Sequence, residues 1–138
     1  MNKALLDTDI YSEVLKAVNP TVAANASQYR QQHGVYSLSV ITVVEVVSGF
    51  QWVQNTRRLQ GFLTAIASEE VIPLEQSAAE LAGRIAGDLS RTGQPIGWAD
   101  PLIAALALEH GLDLVTGNTA HFQRIQQLGY PLTLVNWR

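Results

Sequence analysis

Ala4-Leu5-Leu6-Asp7-Thr8-Asp9 opens the chain with three apolar residues cut off by two acids. So short and wholly apolar a run suits a strand buried on both faces, as in a parallel sheet, and it delivers Asp7 to the strand's carboxyl end. Helical spacing resumes from about Ile10. Asn19-Pro20 breaks it, and Pro20 is well placed in the first turn of a helix that runs toward His33-Gly34. Residues 35–39 read as a second strand. Residues 41–52 read as a helix that is apolar or small almost throughout, with Ser39 or Thr42 as its cap. Beyond it the spacing predicts helices over 55–67, 77–91, 98–110 and 120–128, and strands over 71–74, 112–116 and 132–135. Gly93 and Gly111 stop two of these helices. Strand and helix alternate, which predicts an α/β domain with a mainly parallel sheet between two helical layers. Ligands of such sheets sit beyond the carboxyl ends of the strands, where Asp7 and Asn118 both fall.

The chain has 138 residues, the size of one domain, so residues 1–138 are read as a single unit. Charged residues make up 15%, well under the roughly 25% typical of soluble domains, which implies surface given up to partners. With no cysteine, disulfides, thiolate metal sites and cysteine nucleophiles are excluded. Asp7 and Asp9 interrupt any apolar leader, and no stretch approaches the roughly 20 apolar residues of a membrane span. A soluble, cytoplasmic protein is the expectation. The net charge of −3 argues against passive binding of nucleic acid. A phosphate substrate would therefore need bound cations.

Three acids carry the chemistry, although each alone has a structural explanation. Asp7 can cap a helix, Thr42-Val43-Val44-Glu45 has the spacing of a capping box, and Asp100 before Pro101 is an ordinary cap arrangement. Together they mean more, since two of them stand near the starts of strongly apolar helices. Carboxylates converging to about 4 Å repel by roughly 4 kcal/mol per pair at an effective dielectric near 20, so a cluster requires a cation. Oxygen ligands alone suit Mg²⁺ or Mn²⁺ rather than zinc. Such an ion acidifies a bound water and neutralises charge on a scissile phosphate.

The segments Leu5-Leu6-Asp7-Thr8-Asp9, Ser39-Val40-Ile41-Thr42-Val43-Val44-Glu45, Gly93 through Ala105 with Trp98-Ala99-Asp100-Pro101, and Leu114-Val115-Thr116-Gly117-Asn118 with His121-Phe122, together with Trp137, resemble PIN-domain nucleases in order. Within that family the chain looks most like VapC-type toxins of toxin–antitoxin pairs. The resemblance implies a sheet of about five strands, Asp7, Glu45 and Asp100 as catalytic metal ligands, metal-dependent endonucleolytic cleavage of RNA, and a small cognate antitoxin. The apolar, Ala-rich helices suggest grooves for that partner, and a homodimer is expected through the helices of residues 54–92.

Many relatives carry a fourth acid where Asn118 stands, so one firmly held metal is expected. Asp9 is an extra acid that either offsets this loss or faces solvent. Thr8, Ser39 and Thr116 are hydroxyls that either orient ligands or cap backbone. Arg57, Arg58, Arg84 and Arg91 are candidate RNA contacts, with solvated helix faces as the alternative. His121 invites a general-base role, but a surface residue at a helix start is its simpler description. Trp52 and Trp98 either stack bases or pack. Two other functions compete. Asp7-Thr8-Asp9 also mimics the nucleophile motif of haloacid-dehalogenase-like phosphatases, which want a later lysine where this chain offers only Lys16. Asn118 would also suit a PIN-fold interaction domain without activity.

Overall fold

The computed structural model describes all 138 residues. In chain order the elements are β1 (Ala4–Leu6), α1 (Thr8–Lys16), α2 (Pro20–His33), β2 (Ser37–Ser39), α3 (Val40–Trp52) and α4 (Thr56–Ile66). They continue with β3 (Glu70–Ile72), α5 (Gln76–Arg91), α6 (Ala99–Glu109), β4 (Asp113–Val115), α7 (Thr119–Gln127) and β5 (Leu134–Val135). The five strands form one sheet in the order β3-β2-β1-β4-β5, every pairing parallel. The α/β architecture expected from the alternating pattern is the one observed.

Side chains alternate across the pleat, so β1 and β4 feed two cores. Leu5 and Leu114 point into one core, with Ile85 and Leu89 of α5, Ile103 and Leu106 of α6, and Phe122 and Ile125 of α7. Leu6, Leu38 and Val115 point into the other, with Ile10 and Tyr11 of α1, Val22 and Tyr29 of α2, Phe62 of α4, and Trp137. Ala78, Ala82, Ala104 and Ala105 line the first core; their small side chains let α5 and α6 lie close. The central strand is buried along its whole length, which is why its sequence is continuously apolar rather than alternating.

Three local expectations need correction. Helix α1 starts at Thr8, not near Ile10, because the Asp7 carboxylate caps it by accepting from the Thr8 N–H. Helix α3 is capped by Ser39, whose Oγ accepts from the Thr42 N–H at 3.1 Å, so the Thr42–Glu45 capping box does not form and Glu45 lies deeper in the helix. Asp100 is the second residue of α6 rather than its cap; Trp98 holds that position without a side-chain bond. With its carboxylate free of the backbone, Asp100 is available for other partners.

Candidate active site

From β1 the chain steps to β2 and β3 on one side, whereas β4 and β5 lie on the other. The sheet therefore has its switch point between β1 and β4, where parallel α/β sheets leave a crevice at their carboxyl edge. Asp7 and Thr116 follow these two strands directly. The Asp7 N–H donates to the Val115 carbonyl at 2.9 Å, and the Thr116 hydroxyl donates to Asp7 Oδ2 at 2.8 Å. Asp7 Oδ1 accepts from the Thr8 N–H at 2.8 Å, so both oxygens have fixed partners. Only 4% of Asp7 is exposed. Burial pushes its carboxyl up to about 7, and the charges of Asp9 and Asp100 push the same way against the bonds from Thr116 and Thr8. A buried acid that resists ionisation beside two others is a place where positive charge is missing.

Glu45 joins Asp7 through Thr8. The Thr8 hydroxyl donates to Glu45 Oε1 at 2.7 Å and lies 2.9 Å from the Thr42 hydroxyl. Its single proton is committed to the carboxylate, so Thr42 donates to Thr8 and the relay runs Thr42 to Thr8 to Glu45. Asp100 makes no bond to Asp7 and acts on it through charge. Its Oδ2 lies 3.1 Å from Nδ1 of His121, a half-exposed residue in the first turn of α7.

The accessory residues divide. Thr8 and Thr116 touch the acids, whereas Ser39 serves the cap of α3. Asn118 is exposed, its side chain makes no capping bond, and its N–H donates to Thr116 Oγ1 at 3.0 Å. Asp9 does not face open solvent: its oxygens accept from the N–H groups of Ile10 and Gly117, and burial raises its proton affinity. Arg57, Arg58, Arg84 and Arg91 are exposed and none bonds to the three principal acids; Arg91 pairs with Asp88 at 3.1 Å. Lys16, the lysine a phosphatase would need, lies in the last turn of α1. Thr42, Glu13, Gly117 and Arg138 were not singled out as site residues by sequence. Thr42 carried only a capping signal there, and nothing in local spacing ties Arg138 to Asp9.

As the side chains stand, no group of three His, Cys, Asp or Glu residues forms a ready cage for a metal ion. Each principal acid is turned to a protein partner instead. The donor chemistry nevertheless fits a hydrated hard cation. Mg²⁺ keeps several waters and commonly takes only one or two carboxylates, with phosphate oxygens completing the set. Asp7 is buried and the Asp100 side chain is 17% exposed, so the acids lie at the sheet's carboxyl edge with only part of the cluster open to solvent.

Comparison with known proteins agrees with this geometry. The family model of the PIN domain matches residues 4–128. A curated protein of Shigella flexneri, "tRNA(fMet)-specific endonuclease VapC", is 31% identical over 91% of this chain and 93% of its own length. "Ribonuclease VapC2" of Haemophilus influenzae is 31% identical over the same shares. Among solved structures, DNA-bound VapBC from Salmonella typhimurium superposes with a TM-score of 0.81 at 27% identity, covering 100% of both chains.

Proposed function

We propose, since this chain belongs to the PIN-domain family, that it is a divalent-metal-dependent endoribonuclease and the toxin of a toxin–antitoxin pair. Residues 1–138 would act as one domain in the cytoplasm. The observation that carries the reading is Asp7: a buried carboxyl at the sheet's switch point, held near neutrality by burial and by two neighbouring acids. The chemistry and order of the donors support Mg²⁺ or Mn²⁺ held by Asp7, Glu45 and Asp100. When bound, such an ion acidifies water and stabilises the charge that develops on the scissile phosphate.

The chain's own residues have distinct tasks in this scheme. Thr116 and the Thr8 N–H fix the Asp7 carboxylate, while the Thr8 hydroxyl, itself oriented by Thr42, fixes Glu45. His121 braces Asp100. Such outer partners usually govern metal affinity by about 10- to 100-fold. A site at the carboxyl edge of the sheet suits a long polymer, because a single strand of RNA can lay one phosphate against the acids without being enclosed.

A groove of about 780 Å³ between α1, α3 and α4 suits the antitoxin. Leu15, Val46, Phe50 and Phe62 give it an apolar floor, and Lys16, Arg57 and Arg58 a basic rim. That combination matches an amphipathic helix with acidic residues along its edge. It assigns Arg57 and Arg58 to the partner protein in preference to RNA, since phosphate gains nothing from an apolar floor. Arg84 and Arg91 on α5 remain candidate RNA contacts. A homodimer through α4 and α5 completes the proposal, and a monomer by light scattering at high concentration would refute that part.

Digestion of RNA by the purified chain tests the activity. Cleavage is expected with Mg²⁺ or Mn²⁺ and none with EDTA. Retained cleavage in both Asp7→Asn and Asp100→Asn would defeat the assignment. A chain that binds neither ion by calorimetry would instead be the inert interaction domain, for which the absence of a ready three-residue cage and the amide at Asn118 speak.

A further inference from the structure

The end of the described chain folds back onto α1. Trp137 is buried in the core of the α2 layer, and the Asn25 side chain donates to its carbonyl at 3.1 Å. Anchored in this way, Arg138 reaches over Gly117. Its Nη2 lies 3.3 Å from Asp9 Oδ2, and its Nε donates to Glu13 Oε1 at 2.9 Å. Asp9 and Glu13 stand four residues apart on α1, one turn above the other, a spacing at which like charges destabilise a helix. The planar guanidinium spans them, its Nε donating to Glu13 and its Nη2 paired with Asp9 by charge. Two further observations show that the arrangement is built for this cation. A Cβ on Gly117 would overlap both the guanidinium and the Asp9 carboxylate, so glycine is the residue that lets them meet. Glu13 Oε2 is buried with no hydrogen-bond partner, which leaves spare anionic capacity beside the arginine.

We propose that the Arg138 guanidinium occupies the cation position between Asp9 and Glu13 and thereby excludes a divalent ion from these two acids. The inference rests on the reading of Asp7 as the metal centre, because it explains why Asp9, one residue beyond Thr8, does not serve as a ligand there. The arginine is a positioning residue: it fixes Asp9 against Gly117 and confines metal binding to the acids around Asp7. One fixed monovalent charge stands where Asn118, lacking a charge, cannot help to hold a second ion.

Mn²⁺ titration of the full chain, followed by electron paramagnetic resonance, tests the inference without reference to activity. The wild type is expected to bind one equivalent. Arg138→Gln is expected to bind a second, and Asp9→Asn added to that variant should abolish it. Wild-type stoichiometry and affinity in Arg138→Gln overturns the proposal, even if that variant melts lower, because a purely structural ion pair would move stability and not the count of ions. Asp7→Asn serves as the separate control. If it binds Mn²⁺ as the wild type does, the reading of Asp7 falls. The Asp9-dependent equivalent in Arg138→Gln still decides the role of Arg138.

Discussion

Replacing Asp7 by asparagine should make the protein more stable while removing its activity, and the size of the gain follows from the site. In the folded, metal-free chain the Asp7 carboxyl keeps its proton up to about pH 7, whereas its ordinary value is 3.8. Between these limits the native state binds more protons than the unfolded state, so stability falls as pH rises through that window. The favourable term is whole below about pH 4 and spent above about pH 7. At about 1.4 kcal/mol per pH unit the total fall is about 4 kcal/mol. An asparagine never ionises and escapes this cost, but it weakens the bond from the Thr116 hydroxyl, a loss of about 1–2 kcal/mol. The net gain at pH 8.5 is then about 2–3 kcal/mol, or roughly 6–9 °C in Tm for a chain of this size. The assay is thermal unfolding in EDTA at pH 4 and pH 8.5. Asp7→Asn should melt somewhat below the wild type at pH 4, where only the weakened bond is felt, and clearly above it at pH 8.5. Saturating Mn²⁺ should close the gap by stabilising the wild type alone. A variant that melts at or below the wild type at pH 8.5, or a gap that ignores pH, would refute the reasoning.

Thr8→Val removes the hydroxyl that orients Glu45 and should weaken Mn²⁺ binding by about 10- to 100-fold, with Tm nearly unchanged; unaltered affinity by calorimetry would deny Thr8 that role. Ser39→Ala deletes the buried cap of α3 and should cost about 1 kcal/mol, near 3 °C in Tm, read by thermal unfolding. Arg30→Ala strands Glu69, whose side chain is 4% exposed and whose partners are the arginine fork and the Tyr36 N–H. Because Arg30 itself is half-exposed, the expected loss is about 2 kcal/mol rather than the 3–5 of a fully buried pair, with RNA cleavage unaffected. Equal loss of cleavage at a temperature where the variant is folded would contradict that separation.

The order of elements could be read from the chain because each strand is a short apolar run between helices with 3.6-residue spacing. Boundaries were less legible, and the reasons are local. Val35 and Tyr36 look like strand residues, yet β2 begins at Ser37, and Tyr36 spends its N–H on the Glu69 carboxylate rather than on a strand. Ser39 and Thr42 offered equal capping chemistry by type, and only the helix's true first turn separates them. Asp100 before Pro101 resembled a cap because sequence does not reveal that Ala99 is already helical. For the candidate site, the acids are visible as strong exceptions in apolar surroundings. The residues that restrain them are not: Thr116 lies 109 positions from Asp7, and Arg138 lies 125 from Glu13. Pairings at that distance are set by the sheet order, which no local pattern encodes.

That same separation governs when the site can assemble. The strand that flanks Asp7 and the hydroxyl that fixes it are translated long after it, Thr116 by 109 positions. At about 5–20 residues per second, roughly 5–20 s pass between the synthesis of Asp7 and that of Thr116. A nascent or truncated chain without β4 has no neighbour for that side of β1 and no crevice. Fragments that stop short of β4 should therefore cleave no RNA, which digestion assays on truncated chains would check.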